Sequence, residues 1–351
     1  MCVLFSFMKN IGWLSNINDR LKNKETLSSE EMSRVMRLIM SGVTEDSFVE
    51  CFLSFLAKRV PTAEELFGAT SVMKECVDGV FYHDPTKLLD TCGTGGAPKT
   101  FNVSTLSALV CAASGVPVAK HGNKSKTGRG SSEILEALGV NINLNKKQQE
   151  VCLQDVGICF CFAPKHHPAV ANVMPVRKRL GFPTIFNLIG PLTNPFFAGR
   201  QLVGVWDKKY IDQMGRALQL GGVVSGAVVH SDDGLDEISI SAPTSVLLVT
   251  QKQSKKITIR PEDFGFKTTE LNNVVANSLD EAVDFANYVI CGENKPQTFM
   301  VALNSGVGLF LSGVAKSIEE GVKISFDNIK NGSVKSTFLK WVKVSNNTPS
   351  T

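Results

Sequence analysis

The sequence predicts an α/β protein in which a helical head precedes a larger region built on a mainly parallel sheet. Three observations predict it. Apolar residues recur at helical spacing up to about residue 80. Beyond Asp84-Pro85, short apolar runs alternate with helical periods, the order that puts helices on both faces of a parallel sheet. Finally, the chain has 351 residues of which 43% are hydrophobic and 20% charged, enough for a sizeable core and too apolar for disorder over most of its length.

The head is read first. Ser28-Ser29-Glu30-Glu31 forms a capping box, Met32, Val35, Met36 and Ile39 follow on one helical face, and Gly42 closes the helix. Phe48, Phe52, Phe55 and Leu56 give a second stripe, and Thr62-Ala63-Glu64-Glu65 after Pro61 starts a third helix. Such stripes read as core or subunit interface. Next, Leu88-Leu89-Asp90 leads as a strand into a glycine loop, followed by a helix over 104–113, a strand over 116–119 and a helix over 131–138. Runs at 157–162, 201–206 and 226–230 read as further buried strands. There is no internal repeat, and the tail after Val344 is expected to fray.

Composition excludes several classes. Lys+Arg 37 against Asp+Glu 33 leave a net charge of +4, too weak to imply nucleic acid by itself but suited to anionic ligands. The longest nearly apolar stretch, 108–119, contains Ser114, Gly115 and Pro117 and falls short of the ~20 residues of a membrane helix, so no span is expected. Nine cysteines sit mostly in apolar runs without a CxxC, the pattern of reduced thiols in a cytoplasmic protein. The segment from Met1 to Met8 has no basic stretch before its apolar residues, so no signal peptide is expected, and Met8 is a second candidate start.

Loops that follow strands carry ligands in this class. Asp90-Thr91-Cys92-Gly93-Thr94-Gly95-Gly96 is one; its glycines let N–H groups close on a phosphate, though a tight strand–helix turn explains them equally. Asn102-Val103-Ser104-Thr105 opens the next helix and can cap it, bind an anion, or both. Lys120-His121-Gly122-Asn123 and the Lys124, Lys126 and Arg129 beyond it suit a polyanion, or form a solvated basic loop. Asp232, Asp233, Asp236 and Glu237 make an acidic loop suited to Mg²⁺, which takes one or two carboxylates plus substrate oxygens, or one that is merely solvated. His166, His167, Arg177, Lys178 and Arg179 alone read as surface charge on a helical segment. No nucleophile motif favours covalent catalysis.

Taken in order, Gly93-Thr94-Gly95-Gly96, the stretch from Thr100 to Thr105, Lys120-His121-Gly122-Asn123, Leu135-Glu136-Ala137-Leu138-Gly139, His167-Pro168-Ala169, Val176-Arg177-Lys178, the stretch from Thr184 to Pro195, and Asp236-Glu237 closely resemble the anthranilate phosphoribosyltransferase family. The resemblance implies a small helical domain over 1–81, completed by helices near 168–190 and hinged to a large α/β domain over 86–345, usually as a homodimer through the helical domain. It implies that phosphoribosyl pyrophosphate (PRPP) lies against Gly93, Gly96, Ala97, Thr100, Asn102, Val103, Ser104, Thr105, Lys120, His121, Gly122, Asn123, Lys124, Ser125, Lys126, Thr127, Gly128 and Ser131. Gly93, Asn123, His167 and Arg177 would face anthranilate, and Ser104, Asp236 and Glu237 would hold Mg²⁺, about two ions per site. Nucleic acid and membrane are not implied as partners.

The sequence departs from that family at Ala97, where Asp is usual, at Lys124 for Arg, at Pro183 for Arg, and in two loops that are each one residue short, before Thr100 and before Ser131. A paralogue using another aromatic acceptor is the nearest alternative, motivated by Pro183. A non-catalytic nucleic-acid binder on the same fold is the other; it expects loss of the glycine and acidic loops, which here remain.

Overall fold

The computed structural model describes residues 2–98, 100–125 and 128–347, with side chains from residue 12 onward. Four helices form the head: α1 (Cys2–Lys22), α2 (Ser29–Met40), α3 (Asp46–Ala57) and α4 (Ala63–Glu75). Sequence reading identified three of them and missed α1, which has no Ser, Thr or Asp cap to announce it; Ile17 and Leu21, one turn apart, fix it in the core. Ser28 and Thr62 cap α2 and α4 in reciprocal boxes with Glu31 and Glu65. Glu65 is fully buried and satisfied by the N–H groups of Leu27 and Thr62 and by the Arg59 guanidinium. In α3 the fully buried residues are Val49, Phe52, Leu53 and Leu56, while Phe48 and Phe55 of the expected stripe lie half-buried at its margin.

The α/β region then runs β1 (Leu89–Gly93), α5 (Val103–Ala113), β2 (Val118–Gly122), α6 (Ser131–Ala137), α7 (Lys146–Val156), β3 (Ile158–Phe162), α8 (Ala163–His166), α9 (Met174–Leu180), α10 (Ile185–Ile189), β4 (Arg200–Gly204), α11 (Ile211–Leu220), β5 (Ser225–Ser231), β6 (Thr244–Thr250) and β7 (Ser254–Ile259). It ends in α12 (Leu279–Ile290), α13 (Pro296–Leu311), α14 (Ile318–Lys330) and α15 (Ser333–Asn347). The single sheet has the order β3-β2-β1-β4-β5-β6-β7, parallel through β5 and antiparallel in the last two pairs. The fold class is therefore as the sequence predicts, with an antiparallel hairpin at one edge that it did not announce. That edge strand carries Lys255 and Lys256, exposed charges that discourage further pairing.

Two expectations change. The second strand begins at Val118 rather than 116, because Pro117 offers no N–H to the ladder, and it extends through Lys120, His121 and Gly122, which pair with Phe160, Cys161 and Phe162. The chain is helical past Val344: α15 continues to Asn347, and Ser345 is buried, accepting the Asn141 N–H, while residues 348–351 of the expected tail lie outside the described residues.

One face of the sheet packs on α5, α6 and α12 to α15. The opposite face is shared. Its β4–β6 half joins α11, the head helices and Val176, Ile185, Phe186 and Leu188 of α9 and α10 in one apolar cluster. Its β2–β3 half packs on α7 through Cys152, Leu153, Cys159 and Cys161. Strand order reverses between β1 and β4, so their carboxyl ends form the switch point where this architecture opens a crevice.

Candidate active site

Two glycines face each other at that switch point. Gly93 ends β1, Gly204 ends β4, and they are register partners. A Cβ on Gly93 would collide with the Asp236 carboxylate, and one on Gly204 with the Asp236 main-chain carbonyl. The missing side chains thus let the acidic turn after β5 close over both strand ends. The turn is not simply solvent-facing, as its composition suggested. Leu235 and Ile238 are fully buried, and Asn304 of α13 clamps Ile238, accepting its N–H at 2.9 Å and donating to its carbonyl at 2.7 Å.

The four acidic side chains divide. Asp232 pairs with Lys208, and Asp233 accepts the Ser239 hydroxyl at 2.6 Å. Asp236 and Glu237 are half-buried and turn to the glycine loop and the α5 approach, where Thr100 donates its hydroxyl to Glu237 Oε2 at 2.8 Å. Two loops distant in sequence therefore meet through Asp236–Gly93 and Glu237–Thr100. Among the described residues, no group of three or more His, Cys, Asp and Glu is arranged to hold a metal ion by itself. A cation here would take carboxylate, hydroxyl, water and substrate oxygens, a hard donor set that fits Mg²⁺.

Gly95 and Gly96 adopt φ +67° and +97°, values that favour glycine, and Gly96 lies against Trp206. Ala97 and Thr100 are buried beside them. Asn102 precedes α5 in the left-handed region at φ 64° and makes no side-chain cap; its amide donates to the Arg129 carbonyl instead, tying α5 to the basic loop. Ser104 is half-buried in the first turn of α5, whereas Val103 and Thr105 are buried in the core, so Val103 offers a ligand only its main chain.

The basic segment differs from its expected form. Lys120 is 2% exposed in β2, donating from Nζ to the His121 carbonyl at 2.9 Å beside the fully buried Asp90. Asp90 accepts the His121 N–H at 3.1 Å; burial pushes its carboxyl up while Lys120 holds it down. Asn123, Lys124 and Gly128 are exposed, Ser125 binds the Glu133 carboxylate through its N–H, and Ser131 donates to the Asn123 carbonyl. Lys126 and Thr127 lie outside the described residues. Gly122 packs too closely on Phe160 and Ser131 to carry a side chain.

His166 and His167, read alone as surface charge, are buried. His167 stacks obliquely on His121 with centroids 5.1 Å apart, and His166 bonds the Asp78 carbonyl and Gln149. Burial, helped by neighbouring positive charge, pushes all three toward the neutral form, His167 down to about 4. The unfolded chain therefore binds protons that the folded one refuses. This contribution leaves stability unaffected above about pH 6.5 and lowers it as pH drops toward 4, by about 3 kcal/mol from His167. Urea unfolding at pH 7 and pH 5 should show this, and His167→Asn should flatten the dependence. An equal slope in the variant would assign it to other groups.

Across the crevice, Arg177 of α9 lies over the Phe186 ring, 5.2 Å from its centroid, and reaches Asn187 Oδ1 at 3.5 Å. Burial depresses its pKa, and among the described residues no carboxylate pairs with it. Lys178 is exposed and Arg179 pairs with Asp46 and Glu50, so the three adjacent cations do different things. Pro183 is exposed, just before the Thr184 cap of α10. Sequence reading assigned no role to Asp90, Gly204 or Asn187. A carboxylate inside an apolar run and a glycine closing another were the available signals for the first two.

Residues 85–335 match the glycosyl transferase family, a/b domain, and residues 15–77 its helical bundle domain. The anthranilate phosphoribosyltransferase of Hydrogenovibrio crunogenus is 37% identical over 327 residues, 93% of this chain and 96% of that protein. The crystal structure of the Thermus thermophilus anthranilate phosphoribosyltransferase superposes with a TM-score of 0.87 at 33% identity, covering 94% of this chain and 99% of that one. The Saccharomyces cerevisiae enzyme, solved in complex with PRPP and Mg, superposes at 0.85 with 25% identity, covering 95% of this chain and 98% of that one.

Proposed function

The chain belongs to the anthranilate phosphoribosyltransferase family, and on that premise we propose how its own residues carry out the family's reaction. It transfers the phosphoribosyl group of PRPP to the amine of anthranilate, giving N-(5-phosphoribosyl)anthranilate and pyrophosphate in tryptophan biosynthesis. The observation that carries the site assignment is the convergence of the Gly93 loop, Asp236 and Glu237 at the switch point, faced from α9 by a guanidinium that no carboxylate among the described residues pairs.

PRPP lies over the 93–97 loop and the start of α5, its anionic groups taken up by loop N–H groups, Ser104, Lys120 and the 121–128 segment with Ser131. Asp236, Glu237 and Ser104 would hold Mg²⁺. When bound, the metal neutralises charge that gathers on the departing pyrophosphate. Lys120 starts folded onto the His121 carbonyl and must exchange that bond for a phosphoribosyl oxygen, with Asp90 as its fixed counter-charge. The C1–oxygen bond breaks through an oxocarbenium-like state as the C1–nitrogen bond forms, and the acidic nitrogen so produced then gives one proton to the departing pyrophosphate or to water. An aromatic amine is unprotonated at neutral pH, so no strong base is needed before attack. The neutral histidines at 121 and 167 suit this: they add no cation beside a cationic transition state.

Arg177 takes the anthranilate carboxylate by paired hydrogen bonds, with Asn123 and His167 beside the ring. The reading extends to about two Mg²⁺ per site and to a homodimer through the helical head, both supported by the family resemblance. It also extends to a cytoplasmic setting, supported by the free thiols of all described cysteines. Domain limits of 1–81, completed by 168–190, and 86–345 complete it. The test is acceptor choice: product formation from anthranilate should exceed that from aniline by at least about tenfold, the scale of one charged hydrogen bond. Wild-type protein that prefers the uncarboxylated amine would make it a paralogue with another acceptor.

A further inference from the structure

One side chain touches both halves of the crevice. Asn187 is the third residue of α10, where its Oδ1 accepts the Thr184 N–H at 3.1 Å and reaches Arg177 Nη2 at 3.5 Å. Its Nδ2 donates to the Thr94 carbonyl at 3.3 Å. Thr94 in turn donates its N–H to the Gly204 carbonyl at 2.9 Å, so the glycine loop is held to β4 on one side and to α10 on the other. The amide has one workable orientation. Its oxygen faces two donors, and its nitrogen faces a carbonyl that can only accept.

We propose that Asn187 is a positioning residue that couples the PRPP loop to the acceptor arginine. Capping α10 requires only the oxygen. The nitrogen's bond to Thr94 does nothing for the helix and instead fixes the loop between Gly93 and Gly95 relative to the guanidinium. The distance between the ribose C1 and the acceptor amine is thus set partly by one amide whose two ends serve the two substrates. Arg177 gains as well: with no carboxylate partner among the described residues, its contacts with Asn187, the Met174 sulfur and the Phe186 ring orient a charge that burial would otherwise leave unsupported. The inference rests on the acceptor reading of Arg177 for the second half of this coupling and is independent of it for the first.

The decisive variant is Asn187→Asp. It keeps the shape and the capping oxygen, and an acid in a helix's first turn is favourable to the helix. It also sets an oxygen against the Thr94 carbonyl and a negative charge beside Arg177. A cap-only residue therefore predicts unchanged melting temperature and unchanged kinetics. The coupling role predicts unchanged or higher melting temperature with kcat/KM for both substrates reduced at least about tenfold.

A cycle of Asn187→Ala, Arg177→Ala and the double variant separates the two ends. In the wild-type background Asn187→Ala should raise both KM values several-fold. In the Arg177→Ala background its effect on the anthranilate KM should vanish to within about twofold, while its effect on the PRPP KM persists. Kinetics within about twofold of wild type in both single Asn187 variants would overturn the proposal, as would an undiminished anthranilate effect in the Arg177→Ala background. An Arg177→Ala enzyme with a normal anthranilate KM would instead overturn the acceptor reading. The Thr94 half would then still be tested by the PRPP KM.

Discussion

Replacing the two carboxylates of the acidic turn, Asp236→Asn with Glu237→Gln, is expected to cut turnover at least about 10²-fold while leaving the fold in place. The magnitude is that of one transition-state electrostatic contact removed from a preorganised site. Fold survival has a structural reason. The turn is anchored by the buried Leu235 and Ile238 and by Asn304, none of which the substitutions touch, and both replacements keep side-chain shape. Gln retains an oxygen that can accept the Thr100 hydroxyl, so the contact between loops is kept and only charge is lost. A melting temperature near that of wild type, with a raised Mg²⁺ requirement, is the expected pair of results. Near-normal turnover at low millimolar Mg²⁺ would remove these residues from the metal assignment.

Arg177→Ala is expected to weaken anthranilate by roughly 1.5–3 kcal/mol, the range for hydrogen bonds to a charged group, with PRPP nearly untouched. The guanidinium is held over Phe186 and against Asn187, its pKa depressed by burial. It is therefore poised for an anion that the described residues do not supply. Position 183 is an exposed proline, so on the proposed reading no second guanidinium from that position shares the carboxylate with Arg177. Aniline, lacking the carboxylate, should be used equally by variant and wild type. Loss of anthranilate and PRPP binding together would signal disruption of α9 instead.

Much of this arrangement was legible in the sequence because local chemistry announces it. Ser28 and Thr62 mark helix starts through boxes that form as read. The glycine loop, the start of α5 and the acidic turn each follow a strand, as ligand-bearing loops do in a parallel sheet. What the sequence did not reveal depends on long-range packing. Lys120 and His121 read as loop residues, but pairing with Phe160 and Cys161 of β3 draws them into the sheet, where they are buried. His166 and His167 are polar letters in a basic segment; contacts with Asp78 and Gln149 draw His166 into the interior, and His167 packs on His121. The need for glycine at 204 comes from the Asp236 carbonyl, which arrives from another connection altogether. The β6–β7 hairpin was missed because its outer strand is mostly exposed and carries little apolar alternation.

The central claim is that the switch-point crevice joins anthranilate to the phosphoribosyl group in a Mg²⁺-dependent reaction. The most direct measurement is the loss of anthranilate fluorescence when the protein is mixed with anthranilate, PRPP and Mg²⁺. The account predicts a steady decline that stops on chelation of Mg²⁺, resumes on its return, and is all but lost in the Asp236→Asn, Glu237→Gln enzyme. Unchanged anthranilate fluorescence with folded wild-type protein and both substrates present, or a decline indifferent to chelation, would contradict it.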